Sequence, residues 1–85
     1  MPRSLFSKSY GDLVRALADA RREAGLRQSD LAKKLNKPQS FVSKVERGER
    51  RLDFIELVVV LRAIGLEEVD FLRTIVRTIP TGTRL

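Results

Sequence analysis

The chain contains no cysteine, no histidine and no tryptophan among its 85 residues. Without cysteine or histidine there is no disulfide framework, no thiol chemistry and no ordinary transition-metal site, and the common nucleophile and base pairings of hydrolases lack a member. We therefore expect a protein that is not an enzyme and that holds no metal or cofactor.

Long apolar runs are also missing. The longest uninterrupted run, residues 57–61, is much shorter than a membrane span, and the first residues lack the apolar stretch of a signal peptide. We expect a cytoplasmic, nucleoid-associated protein without a membrane partner.

Charge is unevenly placed along the chain, whose net charge is +6. Residues 27–51 hold eight basic and three acidic side chains, a net +5, while residues 52–72 hold one basic and five acidic side chains, a net −4. A basic surface suits a polyanion, because each neutralised phosphate releases condensed counterions. This placement favours nucleic acid as a partner over a merely solvated basic surface.

Residues 28–48, QSDLAKKLNKPQSFVSKVERG, have the pattern of two short helices around a tight turn. In the first helix, Leu31, Ala32 and Leu35 form one apolar stripe. A break follows because Asn36 adopts the left-handed conformation at low cost and Pro38 drives the residue before it into an extended conformation.

The second helix of this segment has one buried and one polar face. Val42 and Val45 form its apolar stripe, and Gly48 supplies a left-handed end. The outward side chains are small, polar or basic: Gln39, Ser40, Ser43, Lys44 and Arg47. Two helices joined by three or four residues match the helix-turn-helix motif, which places its second helix in the major groove of DNA.

Apolar spacing and end signals predict three further helices, at about 9–24 (starting at Ser9 or Gly11), 54–64 and 67–78. Asp53 and Glu56 have the spacing of a capping box at the start of the fourth helix, and Gly65 ends it. No strand alternation appears. We expect an all-α, compact five-helix bundle that forms one domain over residues 1–85, with a core of about 9–78 and flexible ends at 1–8 and 79–85.

The last two helices carry more apolar surface than one core face requires. The expected buried stripe of the fourth helix is Phe54, Leu57, Val58, Leu61 and Ile64. Either the small core wraps around the remaining apolar side chains, or a second copy covers them. We predict a homodimer whose interface contains Val59, Val60, Phe71, Ile75, Val76 and Ile79. A twofold dimer would set two recognition helices about 34 Å apart.

The stretch 25–50, GLRQSDLAKKLNKPQSFVSKVERGER, resembles the phage repressor and Cro type (XRE-like) of helix-turn-helix regulator, and with its flanking helices the similarity covers roughly 11–71. The family pattern is met by Leu26, Gln28, Leu31, Ala32, Gln39, Ser40, Val42, Ser43, Lys44, Val45, Glu46, Arg47 and Gly48. The resemblance implies a lambda-repressor-like fold. It also implies a sequence-specific regulator of transcription that binds double-stranded DNA, which we expect to be a dimeric repressor on an inverted-repeat operator.

The same resemblance implies a role for each of several residues. The expected base contacts are Gln39, Ser40, Ser43 and Lys44. The expected phosphate contacts are Gln28, Lys37, Arg47, Arg50 and Arg51, the three arginines lying in or beside a flexible loop. Arg21 and Glu46 match a structural ion pair that ties the first helix to the recognition helix.

The chain departs from the family pattern at both helix starts of the motif. Arg27 stands where a serine or threonine cap is common, and Asp30 in the first turn can partly replace that cap. Asn36, Lys37 and Pro38 replace the usual turn residues, and these replacements bear on the angle of the recognition helix.

Alternative functions use the same fold. The chain could be an antitoxin or a restriction-controller protein, with a toxin or another protein as its partner, or an adaptor that binds a protein through its fourth and fifth helices. RNA binding is less favoured, because apart from Phe41 no aromatic side chain interleaves the basic segment to stack on bases.

Overall fold

A computed structural model describes residues 7–85 of the chain, and over that range it contains five α-helices and no strand. The helices are α1 (Lys8–Glu23), α2 (Gln28–Lys34), α3 (Gln39–Glu46), α4 (Phe54–Ile64) and α5 (Glu68–Val76). The predicted all-α fold of five helices is confirmed. The flexible beginning expected at 1–8 falls mainly on residues 1–6, which lie outside the described residues.

Both ends of α4 coincide with the prediction, and no other predicted helix end is more than three residues from its observed position. Asn36 adopts the left-handed conformation at a φ of 57°, and Gly65 does so at 99°. Asp53 and Glu56 form the predicted capping box, with hydrogen bonds of 2.7 and 2.9 Å between each backbone N–H and the other side chain. Helix α5 begins one residue late, because Glu67 caps it by accepting from the backbone N–H of Asp70 at 2.9 Å.

The core lies where α1, α2, α3 and α4 meet. Leu61 of α4 is at its centre, with no exposed surface. The buried cluster around it consists of Leu17, Leu31, Ala32, Val42, Leu57, Val60 and Ile64. Because α2 and α3 each bury one stripe in this cluster, their other faces are left to solvent.

Helix α4 buries Leu57, Leu61 and Ile64 of its predicted stripe, but the rest of the stripe differs from the prediction. Phe54 is 64% exposed, whereas Val60 is buried in the core and Val58 is half-buried. Ile75 of α5 is buried as well. The prediction that Val60 and Ile75 form a dimer surface is therefore wrong, because both side chains are already covered within one protomer. Phe71 is half-buried and packs against the core.

Several other apolar side chains remain on the surface of the protomer. They include Ile55 and Val59 of α4, Val69 and Val76 of α5, and Ile79. Val59, Val76 and Ile79 belong to the predicted dimer surface, while Val69 was not predicted there. None of the helices in the described part of the chain has the length and apolar content needed to cross a membrane.

Candidate nucleic-acid interface

The turn between α2 and α3 is closed by backbone hydrogen bonds. The N–H of Lys37 donates to the carbonyl of Ala32 at 2.9 Å, which the left-handed Asn36 makes geometrically accessible. Pro38 stands at the N-cap position of α3, in the extended conformation. The turn is therefore short and well defined, although Asn36, Lys37 and Pro38 replace the residues that are usual there.

A buried ion pair fixes the far end of α3 to α1. The Arg21 Nε and Nη2 donate to the two carboxylate oxygens of Glu46 at 2.7 and 3.0 Å. Arg21 Nη1 also donates to the carbonyl of Leu26, at 2.8 Å, in the turn before α2. The two side chains are only 8% and 9% exposed. This pair therefore connects three segments of the motif, and Glu46 points into the protein instead of toward a ligand.

A chain of hydrogen bonds continues from this pair to the surface. Gln28 Nε2 donates to Glu46 Oε1 at 2.9 Å, and Gln39 Nε2 donates to Gln28 Oε1 at 3.4 Å. Gln28 is the first residue of α2 and Gln39 is the first residue of α3. The exposed carboxamide of Gln39 is thus oriented through Gln28 by the buried carboxylate of Glu46.

The other predicted base contacts share the outward face of α3 with Gln39. Ser40 and Lys44 are exposed, and Ser43 is half-buried. Ser43 accepts a hydrogen bond from Arg47 Nη1. Within residues 7–85, the Lys44 ammonium makes no hydrogen bond or ion pair. The structure therefore brings these side chains together on one solvated helix face.

Basic side chains lie on both sides of this face. Lys37 in the turn has its Nζ 5.3 Å from the centroid of the Phe41 ring. Arg47 at the end of α3 pairs with Glu49 at 3.0 Å, in an exposed ion pair that lowers the pKa of Glu49 and raises that of Arg47. A surface pair of this kind is easily exchanged for a phosphate, since it contributes at most about 1 kcal/mol.

The loop after α3 is anchored, which corrects the expectation of a flexible loop. The backbone N–H of Leu52 donates to the hydroxyl of Tyr10 at 3.1 Å, and the Arg51 guanidinium lies 4.1 Å from the centroid of the Tyr10 ring. Arg50 forms an ion pair with Glu56 of α4 at 2.8 Å. Sequence reasoning missed Tyr10, because the hydrogen bond spans 42 positions and leaves no local signal.

Asp30 compensates for the unusual cap of α2. Its carboxylate accepts from the backbone N–H of Arg27 at 2.8 Å and from the Arg27 guanidinium at 3.1 Å. These hydrogen bonds lower the pKa of Asp30 to about 2, and those from the guanidinium have the larger effect. The start of α2 thus has an acidic side chain that satisfies a free N–H and favours the helix dipole.

A polar helix packed at a fixed angle against the preceding helix, with cations on either side, is the arrangement that enters the major groove of DNA. The protein is accordingly a DNA-binding regulator of the helix-turn-helix class. It belongs to the XRE-type helix-turn-helix family, since the family model HTH_3 matches residues 17–71. The resemblance noted over residues 25–50 is confirmed.

Solved structures give the same assignment. An XRE-family like protein from Pseudomonas syringae pv. tomato strain DC3000 is 43% identical with a TM-score of 0.80, over 85% of this chain and 88% of that one. The wild-type restriction-modification controller protein C.Esp1396I is 25% identical with a TM-score of 0.76, over 85% of this chain and 95% of that one. The same similarity and coverage hold for its tetramer in complex with its natural 35 base-pair operator. No curated protein matches the chain significantly.

Proposed function

We propose that the protein is a repressor that binds an inverted-repeat operator as a homodimer, with α3 in the major groove. The observation that carries this proposal is the hydrogen-bond chain from Glu46 through Gln28 to Gln39. A flexible amide on a protein surface has no need of such support. A base-reading amide does need it, because recognition requires a fixed orientation of its donor and acceptor.

Gln39 is the main base-reading residue of the proposal. One of its N–H groups is used by Gln28, and its oxygen and second N–H have no partner within residues 7–85. That free donor and acceptor match adenine N6 and N7, a pairing worth about 1 to 3 kcal/mol of discrimination. Ser40, Ser43 and Lys44 would contact neighbouring bases from the same face.

The proposed phosphate contacts surround this face. Gln28 can use its side chain together with free backbone N–H groups at the start of α2. Lys37, Arg47 and Arg51 supply positive charge at the turn and beyond the end of α3. These residues should govern affinity and its salt dependence, whereas the face of α3 should govern sequence.

The homodimer is supported by apolar side chains that the protomer leaves uncovered. Ile55 and Val59 are one turn apart on α4, and Val69 and Val76 are two turns apart on α5. Ile79 extends the apolar surface beyond the end of α5. A stable interface buries about 800 Å² per partner, and apolar side chains at its centre supply most of the energy.

Selection from random duplexes tests the proposal. At about 100 mM salt, where specific binding still exceeds nonspecific binding, the chain should enrich an inverted repeat whose half-sites lie one turn apart. Gln39→Ala should lose the preference at one base position in each half-site, while Thr74→Ala on α5 should behave as the unsubstituted chain. If no repeat is enriched and Gln39→Ala changes nothing, the adaptor function through α4 and α5 replaces this one.

A second candidate, a restriction-modification controller, is favoured by the similarity to C.Esp1396I, which was solved as a tetramer on its operator. The two candidates differ in their target. A controller should protect, in a footprint, an operator upstream of a restriction endonuclease gene.

A further inference from the structure

Arg50 is directed toward other side chains of the protein. Its Nη1 and Nη2 donate to the two carboxylate oxygens of Glu56 at 3.0 and 2.8 Å. Its guanidinium carbon lies 5.1 Å from the centroid of the Phe41 ring, within the range of a cation–π contact. Nη1 also donates to the carbonyl of Arg51. The guanidinium is thus held between an aromatic ring and a carboxylate.

These two partners belong to different helices. Phe41 lies in the first turn of α3 and packs against the core, and Glu56 lies in the first turn of α4. The backbone N–H of Arg50 donates to the carbonyl of Lys44 at 3.2 Å, which brings the loop back onto α3. Arg50 therefore ties the beginning of the recognition helix to the beginning of the next helix.

The charge of Arg50 is already neutralised within the protein. Glu56 is ionised at neutral pH, and the guanidinium, followed by the Asp53 backbone N–H, lowers its pKa to about 2. A phosphate would have to displace this bidentate partner and would leave the Glu56 carboxylate close to the DNA backbone. A phosphate contact would therefore gain little net energy at Arg50, in contrast to the Lys44 ammonium, which makes no hydrogen bond or ion pair within residues 7–85.

We propose that Arg50 is a positioning residue for DNA recognition, which fixes the first turn of α3 against α4 through Phe41 and Glu56, and that it is not a phosphate contact. This inference rests on the proposed function, in which that first turn carries Gln39. A recognition group must be held within about 0.5 Å of its working position. Loss of the Arg50 contacts would let the first turn of α3 move, and Gln39 would move with it.

Two variants separate positioning from phosphate binding, with operator affinity measured across a range of salt concentrations. Arg50→Lys keeps the charge but cannot pair with both oxygens, and Glu56→Gln adds net positive charge while its amide oxygen can still cap α4. If Arg50 positions α3, each of these two variants should lose about tenfold in operator affinity. A loss of this size is in keeping with one half-exposed ion pair and one cation–π contact. A phosphate contact predicts the opposite: Arg50→Lys should bind normally, and Glu56→Gln should bind more tightly.

The slope of affinity against salt gives a second criterion. Arg50→Ala should leave the slope unchanged, and a decrease of about 0.9, the value for one lost phosphate contact, would overturn the proposal. Arg22→Lys and Asp19→Asn are matched controls. They make the corresponding changes in an exposed ion pair of 3.2 Å within α1, away from α3 and from the proposed dimer surface, and should leave operator affinity unchanged.

Hydrogen exchange in the free protein tests the inference without DNA. Both Arg50→Lys and Glu56→Gln should speed amide exchange in α3 while exchange in α1 stays constant. Unchanged exchange in α3 would overturn the positioning role, even if the variants still fold and bind. If the unsubstituted chain selects no duplex, the proposed function fails, and faster exchange in α3 would still support the role of Arg50 in holding this helix.

Discussion

Replacement of Glu46 by alanine should lower the free energy of unfolding by about 3 to 5 kcal/mol. The Arg21 guanidinium pairs with this carboxylate at 2.7 and 3.0 Å, and its side chain is 8% exposed. In the alanine variant, the carbonyl of Leu26 would be the one remaining acceptor of Arg21 among the described residues. A buried charge without its counterion costs several kcal/mol, and water reaches it too poorly to compensate.

Urea denaturation followed by circular dichroism measures this loss. In a domain of this size, each kcal/mol of lost stability lowers the melting temperature by about 4 to 8 °C, so a loss of about 3 kcal/mol or more should lower it by at least about 12 °C. Glu49→Ala is the matched control, because Glu49 also pairs with an arginine, Arg47, at 3.0 Å but in an exposed position. This control should cost less than about 1 kcal/mol.

A loss for Glu46→Ala as small as that for Glu49→Ala would refute the reasoning, since it would mean that Arg21 remains solvated. The double variant Arg21→Met, Glu46→Leu separates packing from charge. Replacing both partners of a buried pair by apolar side chains is often close to neutral for stability. The double variant should still weaken operator binding, because Gln28 loses the acceptor at 2.9 Å that orients it.

Three further predictions concern pH, assembly and backbone conformation. Because Asp30 and Glu56 have folded-state pKa values of about 2, below the ordinary 3.8 and 4.5, stability should fall from about pH 4.5 toward pH 2, and unchanged urea midpoints would contradict this. Val76→Asp should convert the proposed homodimer to a monomer in sedimentation at micromolar concentrations, whereas Thr74→Asp on another face of α5 should not. A monomeric unsubstituted chain would exclude the dimer. Gly65→Ala should lower the free energy of unfolding, measured by urea denaturation, by about 1 to 2 kcal/mol. The cause is the φ of 99° alone, since an added Cβ meets nothing within 4 Å. An unchanged free energy of unfolding would contradict this.

Helix ends were the features most accessible from the sequence. Asn36 and Gly48 were predicted in left-handed conformations because few other residues adopt them at low cost, and both have positive φ. The capping box of Asp53 and Glu56 depends on two residues three positions apart, and it forms as predicted. Such features depend on neighbours in the chain, so a single sequence contains their causes.

Features that depend on packing were less accessible. Helix α4 is apolar on most sides, so spacing alone allowed either Phe54 or Val60 to face the core, and contacts with the rest of the bundle select Val60. The anchoring of the basic loop by Tyr10, and of Arg50 by Phe41 and Glu56, joins segments that the sequence does not connect. In the candidate site, the resemblance to the family therefore implied the pair of Arg21 and Glu46, whereas the partners of Arg50 and Arg51 were not predictable.

Helix α5 has one buried residue, Ile75, whereas α1 has six. Local opening costs least where few side chains are buried, so α5 should unfold locally more often than the helices that hold α3. In the proposed dimer, a second copy covers this same helix and favours its folded form by mass action. The fraction of molecules with an ordered α5 would then rise with protein concentration. The order of this one helix would thus report how abundant the protein is.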